Sequence, residues 1–206
     1  MKNLNRALAG SLMSLSMLGG LALSSPAHAL VSPIGLSVAG PVQLPPSDFT
    51  VAGARASLLW GNHRSVYGFD FSFIGNHTQN SFTGVALAGG YNWNQGTTTA
   101  IGLQAAGFAN VNINKATIVG LQVAGLINYN GAESTLVGLG AALINRTPHT
   151  KVIGAQAGLY NQAREVYGFQ FGLINSAESL HGVQLGLLNF NKTGLFAVAP
   201  FLNVGF

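Results

Sequence analysis

Apolar and polar residues follow one recurring unit along most of the chain: two apolar positions, Gly, apolar, polar, apolar, Gly or another small residue, two apolar positions, then Asn. The clearest copies run Val166-Tyr167-Gly168-Phe169-Gln170-Phe171-Gly172-Leu173-Ile174-Asn175 and Leu180-His181-Gly182-Val183-Gln184-Leu185-Gly186-Leu187-Leu188-Asn189. Earlier copies are anchored at Gly53, Gly68, Gly84, Gly102, Gly120, Gly138 and Gly154, with 14 to 18 residues between successive anchors. That period fits one strand plus one turn and is too short for the common helical repeats. Within a copy the alternation is strict. Tyr167, Phe169, Phe171 and Leu173 share one face, and Gly168, Gln170 and Gly172 share the other, as in a two-faced strand. Copies such as Gly120-Leu121-Gln122-Val123-Ala124-Gly125 carry one more residue between the two small positions, which predicts a β-bulge.

Polar connectors separate the copies, for example His63-Arg64-Ser65, Asn94 to Thr99, Gly131 to Ser134, Gln162 to Glu165 and Ser176 to Ser179. Most charges fall in these connectors. Arg55 and Asp70 instead lie inside strands, at the position held elsewhere by Gln104, Gln122, Gln156, Gln170 and Gln184. Strands stacked in order would set Arg55 and Asp70 at one height, as an ion pair.

Two all-β architectures accommodate single-strand repeats. In an up-and-down outer-membrane barrel of about 10–12 strands, the apolar side would meet lipid and the Gln, Arg and Asp side the lumen. Trp60, Tyr67, Tyr91, Trp93, Tyr129, Tyr160 and Tyr167 would then sit near strand ends, as interfacial girdles do. Eleven candidate strands, counting Ile34 to Leu44 as the first, fit poorly with the even numbers of single-chain bacterial barrels. The alternative is a β-solenoid with one copy per coil and like residues stacked in ladders, for which Asn92-Trp93-Asn94, Asn110-Val111-Asn112 and Asn128-Tyr129-Asn130 look like successive rungs. A four-residue connector spans at most about 14 Å and cannot return across a straight ten-residue strand of about 33 Å, so a solenoid has to bend at its Gly positions. The barrel is the favoured architecture on this argument. It carries its own expectation: Phe171→Asp should block membrane assembly, and Gln170→Asp, facing a wet lumen, should be milder.

Composition sharpens the setting. Nine Lys or Arg and five Asp or Glu in 206 residues leave the chain at 7% charged, so a charged, water-facing surface does not dominate it. Residues 1–29 read as a Sec signal peptide: Lys2 and Arg6, an apolar stretch from Ala7 to Leu23, and an Ala27-His28-Ala29 cleavage pattern. Residues 30–50 follow as an N-terminal strand and linker, and 51–206 as the repeat domain. Without the leader, seven basic and five acidic side chains remain, too few and too scattered for nucleic acid. The chain has no Cys, so neither a disulfide nor a lipidated Cys can hold it.

The run Gly102 to Asn110, the shorter Gly168 to Asn175, and the ending Pro200-Phe201-Leu202-Asn203-Val204-Gly205-Phe206 resemble a family of uncharacterised bacterial surface-repeat proteins with tandem G-x-Q-x-G-L-x-N units. The terminal Phe also resembles the carboxy-terminal signature of outer-membrane barrels. The resemblance implies export and a place at the outer membrane or cell surface, and implies no reaction.

Candidate chemistry is sparse. His63, His77, His149 and His181 lie in connectors or at a strand start and read as exposed or interfacial, without metal-ligand spacing. No Gly-x-Ser-x-Gly elbow is present, and a hydrolase pairing Ser with His is the remote alternative. Asn76, Asn145 and Asn191 open glycosylation sequons and read as turn residues. No catalytic, cofactor-binding or metal-binding residue is assigned, and no cofactor. The expected partners are outer-membrane lipid and the assembly machinery for a barrel, or a surface partner for a secreted or surface-attached solenoid.

Overall fold

The computed structural model describes residues 30–194 and 196–206; the leader reading of 1–29 lies outside the described residues. The chain is a β-solenoid of about ten coils. Its strands are β1 Val31–Ala39, β2 Val42–Leu44, β3 Thr50–Ser57, β4 Trp60–Ser72, β5 Gly75–Ala88, β6 Tyr91–Asn94, β7 Thr97–Ala106, β8 Ala109–Asn112, β9 Ala116–Ala124, β10 Ile127–Asn130, β11 Ser134–Ala141, β12 Ile144–Ala157, β13 Tyr160–Phe171, β14 Ile174–Asn191 and β15 Val198–Gly205.

A typical coil has a long segment carrying the Gly-x-Gln pattern, with Arg55, Asp70, Ala86 or Gly140 in place of Gln in four coils, then a tight turn and a short segment whose second residue is Asn. Long segments pair in parallel with long and short with short: Phe169 with Val183, Gln170 with Gln184, Asn161 with Asn175. Parallel neighbours rule out the up-and-down barrel, whose adjacent strands run in opposite directions. Two antiparallel pairings close the stack. β2 folds back on β1 at one end, and β15 lies on β14 at the other. The segment expected as one strand from Ile34 to Leu44 is thus a hairpin. The last strand, ending at Gly205 just before Phe206, caps the final coil by antiparallel pairing and spans no barrel wall.

The bend that a solenoid needs falls where the second small residue of each unit stands. Gly172-Leu173 turns the chain between Phe171 and Ile174, and the N–H groups of Leu173 and Ile174 both donate to Leu159 O of the coil below. The first Gly has a different task. At Gly120 φ is +122°, and an added Cβ would lie 2.2 Å from Gly102 O, so only Gly lets the backbones stack this closely. The bulge expected in the Gly120–Gly125 copy is absent, since β9 and β11 pair without a register shift from Thr117 to Val123. Its extra residue is taken up at the corner, between Val123 and Ile127. A true in-strand irregularity occurs one coil earlier, where Gly84 faces Ala100 but Ala86 faces Gln104.

The face assignment survives the change of architecture, but the interior is dry. Gln104, Gln122, Gln156, Gln170 and Gln184 are all buried, while Phe169 and Phe171 are 59% and 65% exposed. A wet lumen is therefore absent at Gln170, and the relative tolerance expected for Gln170→Asp and Phe171→Asp reverses. Valine, isoleucine, leucine and Phe82 fill the interior only near the connector side, in a row that includes Val51, Val66, Ile118, Leu136, Val152 and Val166.

Candidate functional site

The interior polar groups form columns because a parallel in-register stack puts identical residues about one strand spacing apart, within hydrogen-bond reach. Asn76, Asn92, Asn110, Asn128, Asn145, Asn161, Asn175 and Asn189 make one unbroken ladder, each Nδ2 donating to the Oδ1 of the next at 2.8–2.9 Å. The second Nδ2 hydrogen goes to backbone, as from Asn161 to Phe171 O at 2.9 Å, so the ladder also fastens the tight turn. Asn76 begins the column after Gly61, and its Oδ1 has no donor. The sequon asparagines Asn76 and Asn145 are rungs of this ladder and not turn residues, because the inward side of the short segment is polar; Asn191, also buried, ends β14 and opens the turn that follows, its carbonyl accepting from Gly194 N–H at 3.2 Å.

The Gln column runs beside it. Gln184 donates to Gln170 at 2.7 Å and Gln170 to Gln156 at 2.8 Å, while Gln122 donates to Gln104 at 3.1 Å. Gln104 and Gln122 also exchange bonds with Asn112 and Asn130. Arg55 and Asp70 occupy this column on paired positions of β3 and β4, as their shared place in the repeat predicts. The guanidinium binds the carboxylate through two donors, Nε to Oδ1 at 2.7 Å and Nη2 to Oδ2 at 2.6 Å, with both side chains out of water. Nη1 donates to His77 O at 2.8 Å.

His63 contradicts the expectation of an exposed histidine. It lies inside β4, where the predicted connector is only a bend in a continuous strand, and is fully buried. Its Nε2 is 3.1 Å from Pro45 O and its Nδ1 3.5 Å from Arg55 Nη1, an arrangement that suits the neutral ring. Burial first, and then the Arg55 charge, lower its pKa from 6.5 to about 4, against a smaller upward pull from the Pro45 carbonyl. The same two causes lower His77. Because the folded value lies below the unfolded one, the stability from neutral His63 is fully present above pH 6.5 and is lost as pH falls from 6.5 toward 4. At about 1.4 kcal/mol per unit the loss amounts to as much as about 3 kcal/mol. Urea unfolding followed at pH 7 and pH 4.5 should show this drop, and His63→Gln should flatten it. His149 and His181 are exposed, and His181 stacks on Tyr167 with ring centroids 4.4 Å apart. Among the described residues no group of three or more His, Cys, Asp or Glu is placed to hold a metal ion.

What the molecule offers to its surroundings is the outside of the coil. The long segments present Phe69, Phe71, Leu121, Ile153, Phe169 and Phe171 as a flat apolar sheet face. The sheet continues around the tight turns through Leu58, Phe73, Phe108, Leu126, Leu159 and Leu173, all exposed. The opposite edge, where short segment passes to long, carries the surface charge. There Arg164 meets Glu133 at 3.1 Å and Glu165 at 3.2 Å, and Lys192 meets Glu178 at 2.6 Å. Apolar exposure on this scale exceeds the scattered side chains of an ordinary soluble surface.

No family model matches the chain. No curated protein and no solved structure is similar to it.

Proposed function

We propose that the protein is an exported, surface-attached β-solenoid interaction module whose apolar repeat face is its working surface. The observation that carries this reading is the inverted coil: amide side chains are bonded to one another inside, and phenylalanine and leucine stand outside. An interior of ladders holds the face rigid and flat, and a rigid apolar face loses little entropy when it is covered. The leader pattern of residues 1–29 and the resemblance to bacterial surface-repeat proteins support export to the cell surface. Function here is binding and architecture, with no reaction assigned.

The test is fractionation of expressing cells with protease digestion of intact cells, comparing the native chain with a Phe169→Ser, Phe171→Ser, Leu185→Ser variant. The native protein is expected at the cell surface, and the variant, still exported and still rich in β structure, in the medium. A native protein that stays inside the cell, or a variant retained as firmly as the native chain, would overturn the reading.

A further inference from the structure

Taken over the stack of coils, polarity changes along a single direction that crosses the solenoid axis. At one extreme is the tight-turn edge, with Leu159 and Leu173 exposed. Next to it on the short segments are Trp60, Tyr91 and Tyr160, with Trp93 and Tyr129 two residues beyond Tyr91 and Ile127. On the long segments the order outward from the same edge is Phe171, Phe169, Tyr167. At the other extreme stand Glu133, Arg164, Glu165, Glu178 and Lys192. Apolar, aromatic and charged residues thus succeed one another on the short-segment face, while on the long-segment face the place of Tyr167 is held by Tyr67 in one coil and by exposed Ile101, Val119 and Ile153 in others before the charged edge is reached. A membrane interface shows the same succession from acyl chains through the headgroup level to water.

A second property of the apolar edge points the same way. Chain corners ordinarily leave N–H groups for water, and such groups are costly in hydrocarbon. Here the corner N–H groups are bonded to carbonyls of the adjacent coil: Phe73 to Ser57 O at 3.1 Å, Phe108 to Gly90 O at 2.7 Å, Leu126 to Phe108 O at 2.9 Å, Leu159 to Leu143 O at 2.9 Å, Leu188 to Leu173 O at 3.0 Å. The edge can be dehydrated without stranding these donors. A second copy packed on the flat face would leave this convex edge in water, whereas a lipid surface covers face and edge together.

From these two observations we infer that the occupant of the apolar surface is a lipid membrane, in which the solenoid lies with its axis parallel to the plane, tight-turn edge among the acyl chains and charged edge in water. The inference rests on the proposal that the apolar face is the working surface, and names what covers it. Hydrocarbon contact is made by one edge and the lower part of both faces, without a span across the bilayer.

The chain has no Cys, so single labels report position cleanly. Full-length chain is expressed, the protein is purified as the cell processes it, and Leu173→Cys and Glu178→Cys variants are labelled with the environment-sensitive dye NBD. Both sites are exposed, so neither substitution disturbs the interior. Phosphatidylcholine vesicles with and without brominated acyl chains are then added. The expected result is flotation with the vesicles, a blue shift and bromine quenching at 173, and water-like, unquenched emission at 178. Flotation without quenching at 173 would overturn the inference, because a part of the protein other than the tight-turn edge would then be holding it to the vesicle. Absence of flotation, with 173 shielded in a self-associated form detected by sedimentation, would also overturn it while leaving the interaction-module reading standing.

Discussion

Gln170→Asp should unfold the C-terminal coils, and Phe171→Asp, one residue away, should leave the fold nearly unchanged. Gln170 is enclosed between its neighbours in the column, donating to Gln156 Oε1 at 2.8 Å and accepting from Gln184 Nε2 at 2.7 Å. An aspartate there has acceptors only and a shorter side chain. It can still accept from Gln184, but it faces the Gln156 oxygen with a second oxygen, and its charge has no cation in the column nearer than Arg55 at the far end of the stack. A buried carboxylate without a partner costs about 3–5 kcal/mol, or takes up a proton to avoid that cost. Because coils in a stack contact chiefly their neighbours, the damage should be local, and the unfolding curve should split into two steps. Phe171 points outward, so its replacement removes apolar contact surface and leaves the ladders intact. Circular dichroism during urea unfolding, with hydrogen exchange over residues 160–191, separates the two results. A Gln170→Asp protein as stable as the native one at neutral pH would show that the column is wet.

Breaking the Arg55–Asp70 pair on one side should be the other severe change. Asp70→Gln leaves a buried guanidinium facing His63 and the His77 carbonyl without its counter-ion, and Arg55→Gln leaves a buried carboxylate. Each is expected to cost about 3–5 kcal/mol, since loss of one partner strands the other charge. The double change Arg55→Gln with Asp70→Gln should recover most of that loss. It continues the column that Gln104 begins two coils further on, replacing two desolvated charges by amides able to bond each other. The interaction energy from this double-mutant cycle, read from unfolding midpoints of all four proteins, isolates the pair. Additive single and double effects would mean that the pair adds nothing beyond its separate members.

The pair also shows how far the repeat can be read from the chain alone. A shared place in the unit is enough to put Arg55 and Asp70 at one height, and the Asn92, Asn110 and Asn128 rungs are likewise legible as register, whatever closes the repeats. His63 was not legible, because its burial depends on the β2 segment folding back so that the Pro45 carbonyl reaches the ring. Nor was the fate of Asn145 as a rung, since Asn before Arg-Thr has the same local signature at a turn as on the inner side of a strand. The apolar face misled in an instructive way: Tyr67, Phe69 and Phe71 alternate cleanly with Gly68 and Asp70, which suggests lipid on one side of a barrel wall.

Period-two alternation determined the strand and its two faces, and the 14–18 residue spacing determined one repeat per strand-and-turn unit; both are properties of neighbouring residues on an extended chain. What closes the repeats is decided between residues 14 or more apart, and only the tertiary structure carries it. Each tight turn redirects the chain within about two residues and hands its N–H groups to the coil below, the stacked amides bond one another better than they would bond a partly filled lumen, and successive units therefore run parallel as coils. The same alternation serves a barrel or a solenoid, because it says which side of a strand is polar and leaves open whether that side encloses water or the next rung of a ladder.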